Sequence, residues 1–245
     1  MKLFTTVDRI QSQPVIRTET HKRGFLSCSP TSIEFWRGRA TVWWEIALGR
    51  ARLRRDFVGY EYLLSYMDRC RLWSLLGNIL EIGAFMGGGT RKLARSALAH
   101  GKSVTVIDIF DPTFDHTTNS RGEAMCWIYS SILGRSKLRR EFDEVTEGLQ
   151  NILVYESDSS KVTLPREEKF IFSFIDGNHS YEIVTADLRL AWAHTRHGGV
   201  VACHDYGGDL PSVTSAIDAF RDKNIVEIAH ETVVPNRKLI FLHRA

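Results

Sequence analysis

The sequence predicts an α/β fold: one sheet of five parallel strands plus an antiparallel C-terminal hairpin, helices on both faces, and a mostly helical N-terminal cap. Three observations predict it. Short β-rich apolar runs recur along residues 77–245, and stretches with helical spacing separate the first five of them. The last two runs stand too close together for a helical crossover, so they pair antiparallel.

Taken in order, the strand runs are Ile79–Ile82, Val104–Ile109, Ile152–Glu156, Phe170–Ile175, Val200–Cys203, Val226–Ala229 and Leu239–Leu242. A helix is expected near Arg91, after a glycine-rich turn. Tyr181, Val184, Leu188 and Trp192 recur at three- and four-residue intervals, as do Val213, Ile217 and Phe220, and each set marks an amphipathic helix. About nine residues containing Pro235 and Asn236 join the last two strands. Residues 1–76 read differently, as an irregular start followed by helices over 31–50 and 56–76. Two units are therefore expected: a cap over 1–76 and the α/β domain over 77–245.

Composition narrows the class. At 245 residues, 43% hydrophobic and 25% charged, the chain is neither disordered, collagenous nor a coiled coil. No apolar run approaches the roughly 18–20 residues of a membrane span, and Met1–Ile10 has no signal-peptide core. Cys28, Cys70, Cys126 and Cys203 form no CxxC pair, which argues against a zinc ribbon or a disulfide framework. A cytoplasmic enzyme without membrane attachment is the expectation. Residues 1–76 hold 13 Lys/Arg against 7 Asp/Glu, while the rest of the chain is slightly acidic. Arg37, Arg39, Arg50, Arg52, Arg54 and Arg55 interleave with Trp36, Trp43 and Trp44, a pattern open to a solvated helix, an anionic or flat ligand, or nucleic acid.

Chemistry concentrates at strand ends. Glu81, Gly83, Ala84, Gly87, Gly88 and Thr90 lie on the turn from the first strand run into a helix. Its glycines admit close ligand approach, and the helix start offers unpaired N–H groups. Asp108 ends the second strand, where a carboxylate can accept from ribose hydroxyls. Ser157 and Asp158 follow the third. The spacing Glu-x-Gly-x-x-x-Gly-Gly-x-Thr departs from the dinucleotide pattern, and a carboxylate beside a pyrophosphate would repel it. That favours S-adenosylmethionine over a nicotinamide cofactor, with Glu81 near its ammonium. Asp176 ends the fourth strand, and His204-Asp205 end the fifth after one strand–helix–strand unit, so these side chains should be neighbours able to share a cation. Two carboxylates and an imidazole suit Mg²⁺, with Mn²⁺ or Fe²⁺ as alternatives. His179 stands three residues after Asp176.

Glu81–Gly88 resembles the cofactor loop of metal-dependent O-methyltransferases of the catechol and caffeoyl-coenzyme A types. Phe174–Tyr181 and Gly198–Tyr206 are more similar to bacterial methyltransferases of the macrocin and mycinamicin sugar type. The predicted sheet is also the Rossmann-like plan of the class I methyltransferases. The resemblance covers residues 77–245. It implies an S-adenosylmethionine-dependent O-methyltransferase acting on a small-molecule hydroxyl, often self-associating, so a homo-oligomer is open. It also implies a metal site at Asp176, His204 and Asp205, with His179 as the general base and Asp176 beside it in the catalytic set. His204 stands where the sugar enzymes carry Glu, and Tyr206 where the catechol type carries Asn.

Competing readings are an RNA ribose methyltransferase and a non-catalytic scaffold that keeps the fold. Base methylation is disfavoured, because Asp-Gly-Asn-His replaces the Asn/Asp-Pro-Pro-aromatic loop and no Pro-Cys occurs.

Overall fold

The β-rich runs form a single sheet in the order β1-β4-β3-β2-β5-β6-β8-β7. The strands are β1 (Ile16–Arg17), β2 (Asn78–Ile82), β3 (Val104–Asp108), β4 (Ile152–Glu156), β5 (Phe170–Ile175), β6 (Thr195–Cys203), β7 (Ile228–Val234) and β8 (Leu239–Arg244). This is a computed structural model, and it describes residues 16–17, 58–130 and 135–245. β1 to β6 run parallel, and β8 pairs antiparallel with both β6 and β7. The expected five parallel strands and hairpin are present, joined at the edge by the two-residue β1. The expected helix over 31–50 and the Arg/Trp cluster lie outside the described residues.

The helices are α1 (Tyr60–Arg69), α2 (Gly88–Ala99), α3 (Met125–Ser130), α4 (Arg135–Val145), α5 (Tyr181–His194) and α6 (Pro211–Lys223). Strand side chains alternate between two cores. On one face Ile79, Val104, Phe172, Phe174, Val200 and Phe241 pack with Leu63 and Met67 of α1, Leu93 and Ala97 of α2, and Phe142 of α4. On the other, Leu80, Ile107, Ile175, Val201 and Ile240 meet Val184 and Leu188 of α5 and Val213 and Ile217 of α6. The periodic residues singled out in α5 and α6 are thus the buried stripes, except Tyr181, which stands exposed at the start of α5.

Boundaries differ in several places; β6, for one, begins at Thr195, five residues before its expected start. The expected helix over 56–76 spans only Tyr60–Arg69, because Arg71 is left-handed and the chain tightens into a 3-10 turn at Leu72–Ser74. The turn helix begins at Gly88, before Arg91, since left-handed Gly87 supplies its cap. β7 starts two residues later than expected and extends to Val234; as an outer strand exposed along most of its length, it lacks the buried alternation that marks the others. Among the described residues, no helix is long and apolar enough to cross a membrane.

Candidate active site

Parallel strands bring their C-terminal ends to one edge of the sheet, and the polar residues follow where those strands stop. The chain turns opposite ways from β2, whose neighbours are β3 and β5, and that leaves a crevice at their ends.

The glycine loop is tied to that crevice by backbone. Gly83 is left-handed at φ 89°, and its N–H donates to Ile107 O at 2.9 Å. A Cβ at Gly83 would stand 2.1 Å from Asp176 O, so the loops after β2 and β5 touch backbone to backbone. Asp108 reaches across from β3: Oδ2 accepts from Ala84 N (2.7 Å) and Phe85 N (3.0 Å), and Oδ1 from Phe110 N (2.6 Å). Burial raises the Asp108 pKa, and these three N–H bonds oppose the rise. Oδ1 keeps a lone-pair direction for a further donor. Gly87 caps α2 without any side-chain hydrogen bond, leaving its first turn to face an anion.

Glu81 and Thr90 lie beneath the loop, both fully buried. Thr90 Oγ1 donates to Glu81 Oε2 at 2.5 Å, and Tyr60 Oη donates to Oε1 at 2.8 Å. Alternation along β2 sends Glu81 to the face covered by α1 and α2. The sequence reading has it open on a polar cavity; here protein hydroxyls meet both its oxygens. Desolvation pushes its pKa up to about 8, against the pull of the two hydroxyls. Ser157 N donates to Asp108 O, and Asp158 caps the 3-10 turn Ser159–Lys161 by accepting from Ser160 N at 3.0 Å. Ser157 and Asp158 are buried at the end of β4.

Across β5 and β6 the expected neighbours meet. Ile175 pairs with Cys203, so Asp176 and His204-Asp205 leave the sheet side by side. His204 Nδ1 is 3.1 Å from Asp176 Oδ1 and 3.3 Å from Asp205 Oδ2. His179 Nε2 is 3.2 Å from Asp205 Oδ2. One ligand atom each from Asp176, His179 and Asp205 lies within 4.8 Å of the others. Ser180, not His179, caps α5, its side chain accepting from Ile183 N. His179 is therefore free to turn into the cluster. Asp205 is held left-handed at φ 58°, a backbone cost that a non-glycine residue carries only where its surroundings enforce it.

Residues 80–206 match the model of a family described as "Methyltransferase domain". The chain belongs to this methyltransferase family. Among solved structures, the O-methyltransferase NovP is similar with a TM-score of 0.59 at 20% identity, over 76% of this chain and 79% of its own. The calicheamicin methyltransferase CalS11 gives 0.56 at 16% identity, over 92% and 99%. TomG of Streptomyces achromogenes gives 0.51 at 15% identity, over 88% and 92%. At these identities the likeness shows the fold. No curated protein matches the chain.

In this methyltransferase the sequence reading missed Asp115. Its Oδ2 sits 2.5 Å from His179 Nδ1 and accepts from His179 N, while Oδ1 accepts from Thr117 N at 2.9 Å. The link spans 64 residues, and no motif distinguishes Asp115 from Asp111, since each follows a phenylalanine in the same long connection beyond β3. His179 is thus gripped by a carboxylate at each ring nitrogen. Burial lowers its pKa, but the two carboxylates outweigh that and push it up to about 10. His204 is likewise brought to about 10 by Asp176 and Asp205 against its burial. In return the histidines hold Asp205 and Asp115 below the ordinary carboxylate range despite their burial. Two carboxylates flanked by two imidazoles is a hard-oxygen and nitrogen donor set that a divalent cation fits.

Proposed function

We propose that this methyltransferase is an S-adenosylmethionine-dependent, divalent-metal-assisted O-methyltransferase acting on a hydroxyl of a small molecule, such as a sugar, a glycosylated natural product or a phenol. The observation that carries the reading is the convergence of Asp176, His179, His204 and Asp205 directly beside the glycine loop, with Gly83 against Asp176. Similar folds support the substrate class and the cofactor: CalS11 is a TDP-rhamnose 3'-O-methyltransferase, and TomG was solved with S-adenosylmethionine.

The residues present fit both groups. The uncapped start of α2 suits the carboxylate of the cofactor, and Asp108 and Asp158 suit its nucleoside end. S-adenosylmethionine, when bound, supplies an electrophilic methyl on a sulfonium. Asp176 and Asp205 would hold the cation, with His204 as third ligand, and a cation there makes a neighbouring hydroxyl more acidic.

His179 then acts on the proton. Asp115 accepts from its Nδ1–H and fixes the tautomer, so Nε2 is the atom that takes the proton from the acceptor hydroxyl. Facing two bare carboxylates, His179 is already charged at neutral pH. A cation held by Asp205 would offset that carboxylate and so weaken one of the two interactions that keep His179 protonated, the Asp115 interaction remaining. Backbone contact between the loops of Gly83 and Asp176 sets the distance between donor and acceptor halves, and alignment supplies much of the rate because the methyl needs no activation.

The test is incubation of the pure protein with isotopically labelled S-adenosylmethionine and a panel of glycosylated and phenolic acceptors, with and without Mg²⁺. Label should pass to a hydroxyl oxygen only in the presence of the cation. Transfer to RNA in place of every small acceptor would overturn the substrate class.

A further inference from the structure

The glycine loop rests on a buried network that reaches it from α1. Tyr60, the first residue of α1, donates to Glu81 Oε1 at 2.8 Å, and Thr90 donates to Glu81 Oε2 at 2.5 Å. Glu81 lies two residues before Gly83, and Thr90 lies in the first turn of α2, so the carboxyl of Glu81 joins both ends of the loop. The Tyr60 ring seats in the space that Gly89 leaves open. A Cβ on Gly89 would stand 2.2–2.5 Å from three of its ring atoms. The same ring meets Phe174 of β5 edge-on, centroids 5.2 Å apart at 79°. Glu81 and Phe174 are register partners in the sheet, so one aromatic residue fixes the strand pair that flanks the crevice as well as the helix that follows it.

We infer that Tyr60 is a positioning residue for the cofactor: by holding Glu81 and occupying the hollow at Gly89, it sets the geometry of the glycine loop that would receive S-adenosylmethionine. This rests on the functional reading above. The physical argument is one of satisfaction. A fully buried carboxyl keeps its orientation only while each oxygen has a partner. Without the Tyr60 hydroxyl, Oε1 loses its partner, and any rotation of Glu81 to regain one would break its bond to Thr90 in the first turn of α2. α1 thereby belongs to the cofactor-binding machinery and does more than cover the core.

Tyr60→Phe tests this, because it keeps the ring on Gly89 and Phe174 and removes only the hydroxyl. Binding of S-adenosylhomocysteine is measured by calorimetry on wild type and variant, alongside melting temperature and steady-state kinetics. The expected result is a Kd about tenfold weaker and a KM for S-adenosylmethionine raised in parallel. At saturating cofactor, kcat should fall less than about twofold. A packing role alone would lower the melting temperature and leave the Kd of the folded protein unchanged, and that outcome overturns the inference. Gly89→Ala is the second variant, its Cβ colliding with the Tyr60 ring and so displacing it from Glu81. It should weaken binding in the wild-type background, yet add nothing further in Tyr60→Ala, where the ring is gone. Equal losses in both backgrounds overturn the inference too. If wild type itself takes up no S-adenosylhomocysteine, the functional reading falls and this inference with it; wild-type binding that Tyr60→Phe matches removes the inference alone.

Discussion

Asp115 Oδ2 and His179 Nδ1 stand 2.5 Å apart across 64 residues of chain, and the same carboxylate oxygen also accepts the His179 backbone N–H. The imidazole is therefore held by ring and backbone to one acceptor, with its other nitrogen aimed at Asp205. Asp115→Asn keeps the shape but presents an amide that can donate to Nδ1, allowing the wrong tautomer. The expected outcome is a loss in kcat of about a hundredfold with the KM for cofactor nearly unchanged. Unaltered kcat would remove His179 from proton transfer.

The two imidazoles should separate in a metal titration. His204 faces both carboxylates through one nitrogen, while His179 meets Asp205 through Nε2 and Asp115 through Nδ1. If His204 is a ligand and His179 a base, His204→Ala weakens Mn²⁺ binding, read by calorimetry or electron paramagnetic resonance, by about tenfold or more. His179→Ala should retain Mn²⁺ and lose turnover. Chelation with EDTA should abolish transfer in wild type, and added Mg²⁺ should restore it. The reverse pattern would make His179 the ligand, a role its place beside Asp176 and Asp205 also allows.

Glu81 predicts a pH dependence of stability. Its folded pKa is about 8, against a value of 4.5 for the free side chain. Between those values the folded protein keeps a proton that the unfolded chain has released. Stability therefore falls as pH rises through the window, and above about 8 the full cost of a buried charge is present. The size is on the order of a few kcal/mol. Glu81→Gln carries no ionisable proton, so it should flatten this part of the profile and melt higher than wild type above pH 8. Urea midpoints measured across the range check it; a parallel profile for both proteins sinks the prediction.

Much of this site could be read from the sequence because parallel strands repeat a simple rule. Asp108, Asp158, Asp176 and His204-Asp205 are recognisable as polar residues that follow apolar runs, and parallel pairing puts such residues on one edge. The rule says nothing about residues that arrive by long connections. Asp115 sits in an irregular loop beyond β3, and Tyr60 comes from a helix whose amphipathic stripe announces burial but not which polar group its hydroxyl meets. Glu81 shows a subtler limit. Its type and position mark it as consequential, and alternation fixes its face, but whether that face opens on ligand or on protein hydroxyls depends on α1. β7 was blurred at both ends for a related reason: an outer strand exposed on most residues is not constrained to alternate.

Gly83 offers the sharpest test of the crevice itself. Many glycines here are left-handed, and that alone makes replacement by alanine cost about 1 kcal/mol. Gly148 represents this bare cost, because at φ 79° a Cβ there would meet nothing within 4 Å. Gly83 adds a collision that cannot be relieved by a side-chain rotation. Its Cβ would lie 2.1 Å from Asp176 O, 2.4 Å from Asp176 C and 2.7 Å from Gly177 Cα, all of them backbone. To make room, the loops after β2 and β5 must part, breaking the hydrogen bond from Asp176 N to Ile82 O and carrying Asp176 away from the glycine loop. Gly83→Ala should then cost roughly 3 kcal/mol or more, a fall in melting temperature of about 6–12 °C. Gly148→Ala should shift it by only about 2–4 °C. Any Gly83→Ala protein that remains folded should also lose S-adenosylhomocysteine affinity, which Gly148→Ala should keep. If the two variants melt and bind alike, the loops of Gly83 and Asp176 are not in contact, and backbone contact does not hold the donor and acceptor halves of the proposed site together.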